Sequence, residues 1–264
     1  NVFEISEKFF FAHYANKNIN KTEEYLQVCQ NEYAFIAGRM PEVAFSNIWI
    51  AQIMGDKIPA NSYVHFGIFN SLRSWNFAQL PSNVYPICNV GGFGIDGTLS
   101  TVLGASLAYP QKLHFVILGD LAFFYDMNSL GNRYVRNNIR ILLVNNGRGT
   151  EFRKYDHPCA KFGENADPYM AAAGHFGCQS KTLVKDYVNN LGFDYLTASS
   201  KEEFLEVYKK FVDPCLLNAP VVFEVFTNSK DKSDAINAYR HIVKDHILEF
   251  KSIMKSLVKY LVKK

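Results

Sequence analysis

The sequence predicts an α/β protein in which helices cover both faces of a mostly parallel β-sheet, giving three layers. From Pro41 onward, short apolar segments of strand length alternate with longer segments of helical length. The segments 113–118 and 139–144 have the composition of buried strands. Residues 123–138 lie between them and are long enough for one crossover helix, so the two strands should run parallel.

The remaining elements follow from apolar periodicity and from the glycines and prolines that interrupt it. Gly55, for example, marks the end of the first helix after Pro41. The predicted helices are 43–54, 72–80, 99–109, 123–138, 168–176, 182–191 and 201–211, and the predicted strands are 63–69, 84–88, 113–118, 139–144, 193–196 and 221–226. The long segment 147–167 lacks periodicity, and loops of that length in compact domains are often active-site lids.

The two ends of the chain fall outside this alternation. We expect residues 1–40 to form a helical extension or linker, residues 41–230 the α/β domain, and residues 231–264 a C-terminal amphipathic helix. That last segment combines apolar residues at helical spacing with many lysines, a pattern that can bind membranes or acidic partners. We favour the other interpretation, in which the helix packs on the domain or on a partner subunit.

Composition excludes several classes of protein. A net charge of +3 is too small to indicate a nucleic-acid-binding protein. Five cysteines without a C-x-x-C pair favour reduced thiols in a cytoplasmic protein over a disulfide framework or a zinc site. No apolar run reaches the roughly 18 residues of a membrane span, and no signal peptide is evident. The chain begins at Asn1, so we expect a processed product or a piece of a longer protein.

One carboxylate and one carboxamide follow neighbouring predicted strands. Asp120 comes directly after the strand 113–118, and Asn145 and Asn146 follow the strand 139–144. Parallel strands bring these residues to one edge of the sheet, which is where open α/β sheets bind ligands. Hard oxygen ligands suit Mg²⁺, which keeps few protein ligands and takes phosphate oxygens for the rest. The sequence therefore predicts a magnesium site at this edge.

A glycine-rich segment allows two interpretations. Residues 92–97 match G-x-G-x-x-G between a strand and a helix, and Asp120 ends the next strand, as in a dinucleotide-binding protein such as an NAD-dependent oxidoreductase. This match, however, lies at a later strand–helix junction and leaves the paired asparagines unexplained. The glycines could equally let the backbone approach a different cofactor.

The combined motifs resemble the thiamine diphosphate-dependent enzyme family. Gly119-Asp120 followed by Asn145-Asn146 is similar to the family's cofactor signature. The segment 89–101, with Gly-Ile-Asp-Gly at 94–97, looks like the corresponding segment of the menaquinone-pathway 2-succinyl-5-enolpyruvyl-6-hydroxy-3-cyclohexene-1-carboxylate synthases. The resemblance spans about residues 41–226 and implies the thiamine diphosphate-binding fold. It identifies this region with the domain that binds the diphosphate and Mg²⁺.

The resemblance also implies roles for individual residues. Asp120, the Asn146 side chain and the Arg148 backbone carbonyl would ligate Mg²⁺. Ile95 would prop the cofactor in its bent conformation. The residues expected to contact the cofactor are Asn70, Ser71, Gly94, Ile95, Gly119, Asp120, Leu121, Ala122 and Asn146; among them, Leu121 and Ala122 would present backbone amides to the diphosphate.

The substrate side departs from the family pattern. Val90 stands where the menaquinone enzymes carry an arginine expected to bind a substrate carboxylate, so the acceptor should differ. Arg73 either replaces a second family arginine or is a solvated surface residue. On the long loop, Glu151 and Arg153 are assigned to the substrate side. His157 would either transfer a proton there or simply belong to a polar loop.

The function implied by the resemblance is part of a 2-oxo acid decarboxylase or carboligase. Family members bind the aminopyrimidine in a second domain, whose glutamate activates the cofactor, and no such domain fits within these residues. We therefore expect a pyrimidine-binding domain or subunit from elsewhere, in a homodimer or hetero-oligomer. The menaquinone synthase itself, an NAD-binding oxidoreductase and a non-catalytic assembly module remain as alternatives.

Overall fold

A computed structural model of the chain describes residues 4–15, 23–151, 157–170 and 179–242. The chain divides into two compact units, Pro41–His241 and a second unit formed by Asn1–Met40 with Ile242–Lys264. In the second unit, the described residues form helices α1 (Glu7–Ala15) and α2 (Glu24–Ala37).

The unit Pro41–His241 is built on a sheet of six parallel strands. The strands are β1 (Tyr63–Phe66), β2 (Tyr85–Cys88), β3 (His114–Gly119), β4 (Ile139–Asn145), β5 (Asp194–Ala198) and β6 (Val221–Phe226). Their order in the sheet is β2-β1-β3-β4-β6-β5, and every neighbouring pair is parallel. All six strands therefore end at the same edge of the sheet.

Helices precede and connect the strands. They are α3 (Asn47–Met54), α4 (Asn70–Trp75), α5 (Thr98–Ala108), α6 (Asp120–Asp126), α7 (Leu183–Asn190) and α8 (Lys201–Phe211). Residues 229–242 are also helical, and short 3₁₀ segments occur at Gly55–Lys57, Met127–Gly131 and Pro158–Tyr169. None of the described helices has the length and apolar character needed to cross a bilayer.

The helices cover both faces of the sheet because strand side chains alternate between the faces. On one face, Val116 and Leu118 pack with apolar residues of α5, α6 and α7, including Val102 and Phe123. On the other face, phenylalanine rings of β3 and β6 pack against those of α8. The ring centroids of Phe115 and Phe211 are 5.6 Å apart, and those of Phe204 and Phe223 are 5.2 Å apart. The three-layer α/β/α architecture is thus confirmed.

Several element boundaries differ from the prediction. The helix expected over 43–54 begins at Asn47, because the Ser46 hydroxyl caps it by accepting the Trp49 amide. The helix expected over 72–80 is instead α4, which begins earlier and ends at Trp75. The single crossover helix over 123–138 was also wrong: α6 ends at Asp126 and a 3₁₀ segment follows.

The region between β4 and α7 also differs from the prediction. Within Pro158–Tyr169 the chain forms 3₁₀ turns that break at Gly163 (φ 53°), although an aperiodic loop was expected as far as residue 167. Most of the helix predicted over 168–176 lies outside the described residues, as do Arg153 and residues 243–264 of the expected C-terminal amphipathic helix.

Candidate functional site

The crevice between the ends of β1 and β3 is the place where this topology favours ligand binding. The chain leaves β1 towards β2 at one side of the sheet, whereas it leaves β3 towards β4 on the other side. Loops that depart in opposite directions from adjacent parallel strands leave a crevice at their carboxyl ends. The predicted site residues lie on the segments that follow β1, β2, β3 and β4.

Strand register places the predicted metal ligands on adjacent strands. Gly119, the last residue of β3, pairs with Val144 of β4. Asp120 follows immediately and begins α6 with only 2% of its surface exposed, and Asn146 lies two residues beyond Val144. A buried carboxylate and a carboxamide oxygen therefore lie at the same edge of the sheet, and both are hard ligands of the type that Mg²⁺ prefers.

The two asparagines have different environments. Asn145 is fully buried; its Nδ2 donates to Glu224 Oε1 at 2.8 Å and its Oδ1 accepts the Gly147 amide at 3.2 Å. Asn146 is half-buried, and its Oδ1 accepts the Arg148 amide at 3.3 Å. The bond to Arg148 uses one lone pair of that oxygen and leaves a second. The first asparagine thus braces the loop, and the second is the one available to a ligand.

Glu224 is a residue of this edge that the sequence analysis missed. It lies fully buried on β6, between the Asn145 amide and the Tyr195 hydroxyl, which donates to its Oε2 at 2.7 Å. Burial raises the pKa of Glu224, the two hydrogen bonds oppose that rise, and the negative charge of Asp120 adds to it. Two carboxyl groups therefore interact here, and a cation beside Asp120 would offset their repulsion.

Two glycines leave open space beside the crevice. A Cβ at Gly119, before Asp120, or at Gly97 (φ 74°), before α5, would meet no atom within 4 Å. Gly94 is different, because a Cβ there would lie 2.3 Å from Asp96 Oδ1. Ile95, which follows Gly94, is half-buried and packs against the core beside α5 and α6. The glycine segment thus presents bare backbone next to a fixed apolar side chain.

A carboxylate clamp joins the segment after the glycines to α6, the helix that begins with the candidate ligand Asp120. Asp126, the last residue of α6, accepts both the backbone amide and the hydroxyl of Ser100 in the first turn of α5, at 2.6–2.7 Å. Such a bond satisfies an amide that has no partner within its own helix. The start of α5 is therefore fixed relative to α6, a role for Asp126 that the sequence pattern did not predict.

The rim of the crevice joins predicted site residues to two that the sequence analysis did not name, Thr150 and Lys232. Asn70 Nδ2, at the start of α4, donates to Thr150 Oγ1 at 2.6 Å, and the buried Lys232 donates to the side chains of both. Next to them, Arg73 forms an ion pair with Glu151. Sequence reasoning could not have found Lys232, because it lies more than 80 residues from Thr150 in the chain.

Other predicted residues have local partners. Ser71 is buried at the start of α4. The Leu121 amide donates to Asp120 Oδ1 at 2.8 Å, and Ala122 is buried in α6. His157 Nδ1 accepts the Cys159 amide at 3.1 Å, which makes it a cap of the 3₁₀ segment here.

The residues present fit Mg²⁺ and a diphosphate. Asp120 and Asn146 supply hard oxygens, and the spaces beside Gly119 and Gly97 would admit a bulky anion close to the backbone. Within the described part of the chain, no three His, Cys, Asp or Glu side chains group around a common point. A site in which protein side chains supply every ligand is therefore not indicated among these residues.

Comparison with known proteins identifies relatives of this chain. No protein-family model matches the chain. The 2-succinyl-5-enolpyruvyl-6-hydroxy-3-cyclohexene-1-carboxylate synthase of Bacteroides fragilis is 33% identical over 226 residues, 86% of this chain and 39% of that protein. The enzyme of the same name from Christiangramia forsetii is 34% identical over 205 residues, 78% of this chain and 34% of that protein. The chain thus spans less than half of the length of these relatives. From the site and these similarities, we conclude that the chain belongs to the thiamine diphosphate-dependent enzyme family and is similar to its 2-succinyl-5-enolpyruvyl-6-hydroxy-3-cyclohexene-1-carboxylate synthases.

Proposed function

We propose that this chain is the diphosphate- and Mg²⁺-binding part of a thiamine diphosphate-dependent 2-oxo acid decarboxylase or carboligase. The observation that carries the proposal is the placement of Asp120 and Asn146 at the ends of adjacent parallel strands, beside the open space at Gly119. The similarity to the synthases supports the same cofactor class.

In this proposal each residue has a defined task. The Asp120 carboxylate, the Asn146 side-chain oxygen and the Arg148 carbonyl hold Mg²⁺. Glu224 and Asn145 keep the β4 loop in the conformation that presents those oxygens. When bound, thiamine diphosphate supplies the electron sink that allows CO₂ to leave a 2-oxo acid. Ile95 and the backbone of the glycine segment contact the cofactor and exclude water from it.

Activity also requires a pyrimidine-binding domain with an activating glutamate. The B. fragilis match covers 39% of the relative's length, which leaves room in such a protein for other domains. We propose that the corresponding domain pairs with this chain, either within a longer polypeptide or as a separate subunit, in a homodimer or hetero-oligomer. Glu151, paired with Arg73, and Arg153 would then face the 2-oxo acid.

The reaction named in the relatives is a second candidate, because similarity extends over most of this chain. In that case the intact assembly would convert isochorismate and 2-oxoglutarate. Val90, where an arginine is expected, counts against it, since an apolar side chain cannot pair with a carboxylate. If the intact assembly converts isochorismate as fast as it converts other acceptors, this second candidate is established. The proposal that the acceptor differs would then be wrong.

Sheet order disfavours the dinucleotide interpretation. The glycine segment follows β2 and Asp120 follows β3, but β1 lies between these two strands. In the dinucleotide-binding pattern the glycine-bearing strand and the strand with the acidic residue are neighbours, so that one ribose reaches both. A nicotinamide cofactor could not use Gly92–Gly97 and Asp120 in that way.

Calorimetry on the full chain tests the proposal. We expect thiamine diphosphate with Mg²⁺ to bind, NAD to give no heat, and Asp120→Asn to weaken the Mg²⁺-dependent binding at least tenfold, because it removes the anionic ligand. Asp186→Asn, an exposed aspartate on α7, is the matched control and should bind as the unaltered chain does. Equal affinity in Asp120→Asn would refute the metal assignment, and binding of NAD alone would refute the cofactor.

A further inference from the structure

Lys232 is a buried lysine that connects three separate segments of the chain. It lies in the helical residues 229–242 that follow β6, with 2% of its surface exposed. Its Nζ donates to Asn70 Oδ1 at the start of α4 and to Thr150 Oγ1 at 3.2 Å, beyond the end of β4. Asn70 Nδ2 donates to the same Thr150 oxygen at 2.6 Å, which closes a triangle of hydrogen bonds.

The ammonium group of Lys232 determines which group donates and which accepts in each hydrogen bond of this triangle. An ammonium can only donate, so the Asn70 oxygen must face Lys232 and the Asn70 NH₂ must face Thr150. The Thr150 oxygen accepts from both, which occupies its two lone pairs. Hydrogen bonds to a charged donor are stronger than neutral ones, particularly when buried. Lys232 therefore selects one of the two orientations of the Asn70 amide.

The position of Thr150 extends this effect to the metal site. Thr150 lies four residues after Asn146 and two after Arg148. The loop between Asn146 and Thr150 contains Gly147 (φ 81°) and Gly149, and glycine restricts the backbone less than other residues do. Asn145 anchors the loop at its beginning through Glu224, and the Lys232 triangle anchors it at its end. The Asn146 side chain and the Arg148 carbonyl lie between the two anchors.

We propose that Lys232 is a positioning residue of the cofactor site: through Asn70 and Thr150 it fixes the rim of the crevice and the loop that presents the Mg²⁺ ligands. The part of this inference that concerns cofactor binding rests on the proposed function. The orientation of the Asn70 amide does not depend on that function. A lysine that acted only through packing would be replaceable by methionine, which fills a similar volume without charge.

The decisive comparison is Lys232→Met against Lys230→Met in the full chain. Lys230 is exposed in the same helical segment, two residues away, and serves as the matched control. In ¹H–¹⁵N spectra, we expect the side-chain NH₂ signals of Asn70 to shift in Lys232→Met and to stay in place in Lys230→Met. In calorimetry at fixed Mg²⁺, we expect thiamine diphosphate to bind Lys232→Met at least tenfold more weakly, and Lys232→Arg to recover part of that loss because it keeps the charge.

Thr150→Val provides a second route if Lys232→Met does not fold, because it removes the shared acceptor and preserves the side-chain shape. It should shift the same Asn70 signals and weaken cofactor binding in the same direction. Unchanged Asn70 signals, or a dissociation constant within twofold of the unaltered chain in both variants, would overturn the inference. If the unaltered chain binds no thiamine diphosphate, the proposed function fails, and the Asn70 signals alone then decide whether Lys232 orients the amide.

Discussion

At the scale of single residues, the consecutive asparagines show how identical side chains take different roles. Asn145 ends β4, where its side chain points to the buried Glu224, whereas Asn146 begins the loop and stays half-buried. Successive residues of an extended strand face opposite sides, so two neighbours rarely share an environment. The family resemblance named Asn146 as the candidate ligand, and the structure adds that Asn145 braces the loop through Glu224.

His65 provides a prediction about pH. It lies on β1 with 4% of its surface exposed, its Nε2 has no hydrogen-bond partner among the described residues, and its ring centroid is 5.9 Å from that of His114. Burial, and then the charge of His114, lowers the pKa of His65 from 6.5 to about 4. The unfolded chain therefore binds this proton more readily, so stability is complete above pH 6.5 and falls as the pH drops towards 4.

The size of the effect follows from the shift. By pH 4.5 the protonation of His65 in the unfolded chain should cost about 2.5 kcal/mol of unfolding free energy. In His65→Phe this part of the acid loss should disappear, and His13→Phe, an exposed position, should leave it unchanged. Urea unfolding at pH 7 and pH 4.5 measures it; an equal acid loss in His65→Phe and the unaltered chain would contradict the assignment.

At the scale of elements, the site depends on how α5 and α6 are joined. Both helices begin at the sheet edge that carries the candidate site, α5 after the glycine segment and α6 at Asp120. The Asp126 carboxylate, which accepts two groups of Ser100, is the polar contact that sets their spacing. The apolar residues between the two helices add contact area but do little to fix the orientation of one helix against the other, since hydrophobic burial is not directional.

Removing that contact should therefore lower the stability of the chain. We expect Asp126→Ala to lower the unfolding free energy by about 2 kcal/mol, because it leaves the Ser100 amide without its charged acceptor. Ser100→Ala keeps the bond to the amide and should lose less. Urea unfolding compares the two with Asp186→Ala as the exposed control. A loss in Asp126→Ala no larger than in Asp186→Ala would show that the clamp is dispensable.

The elements also show where sequence reasoning succeeds. The helix Lys201–Phe211 and the strand Val221–Phe226 were predicted at their observed bounds, because the helix has a sharp start and a clear period and the strand is a short, mostly apolar segment after Pro220. The Ser200 hydroxyl marks the start of α8 by accepting the Glu203 amide. The connection after β3 was predicted poorly. There α6 gives way after seven residues to a 3₁₀ segment, whose own periodicity is too short to recognise.

At the scale of the whole molecule, the candidate site is assembled from segments that are far apart in the chain. It draws on the segments after β1, β2, β3 and β4, and on Glu224 and Lys232 from the last strand and the helix after it. A ligand that binds only the folded arrangement stabilises all of these segments together.

Ligand-dependent stability tests this assembly. Thiamine diphosphate with Mg²⁺, at about 100 times the dissociation constant, should raise the unfolding free energy of the chain by about 2.7 kcal/mol. A chelator should abolish the stabilisation, because Asp120 and Asn146 would then have no cation to bridge them to the diphosphate. Thermal unfolding with and without chelator measures the effect. Equal stabilisation by the cofactor in the presence of chelator would contradict a metal-bridged site.

The sequence by itself determined the alternation of strands and helices, the parallel sheet and the candidate pair Asp120 and Asn146. These features depend on local composition and on the constraint that a strand–helix–strand unit ends both strands at one edge. Only the tertiary structure decided that β1 separates β2 from β3, that Glu224 braces Asn145, and that Lys232 reaches Asn70. Those contacts join residues 79 and 162 positions apart, and no local pattern specifies which distant partner a buried polar group will find.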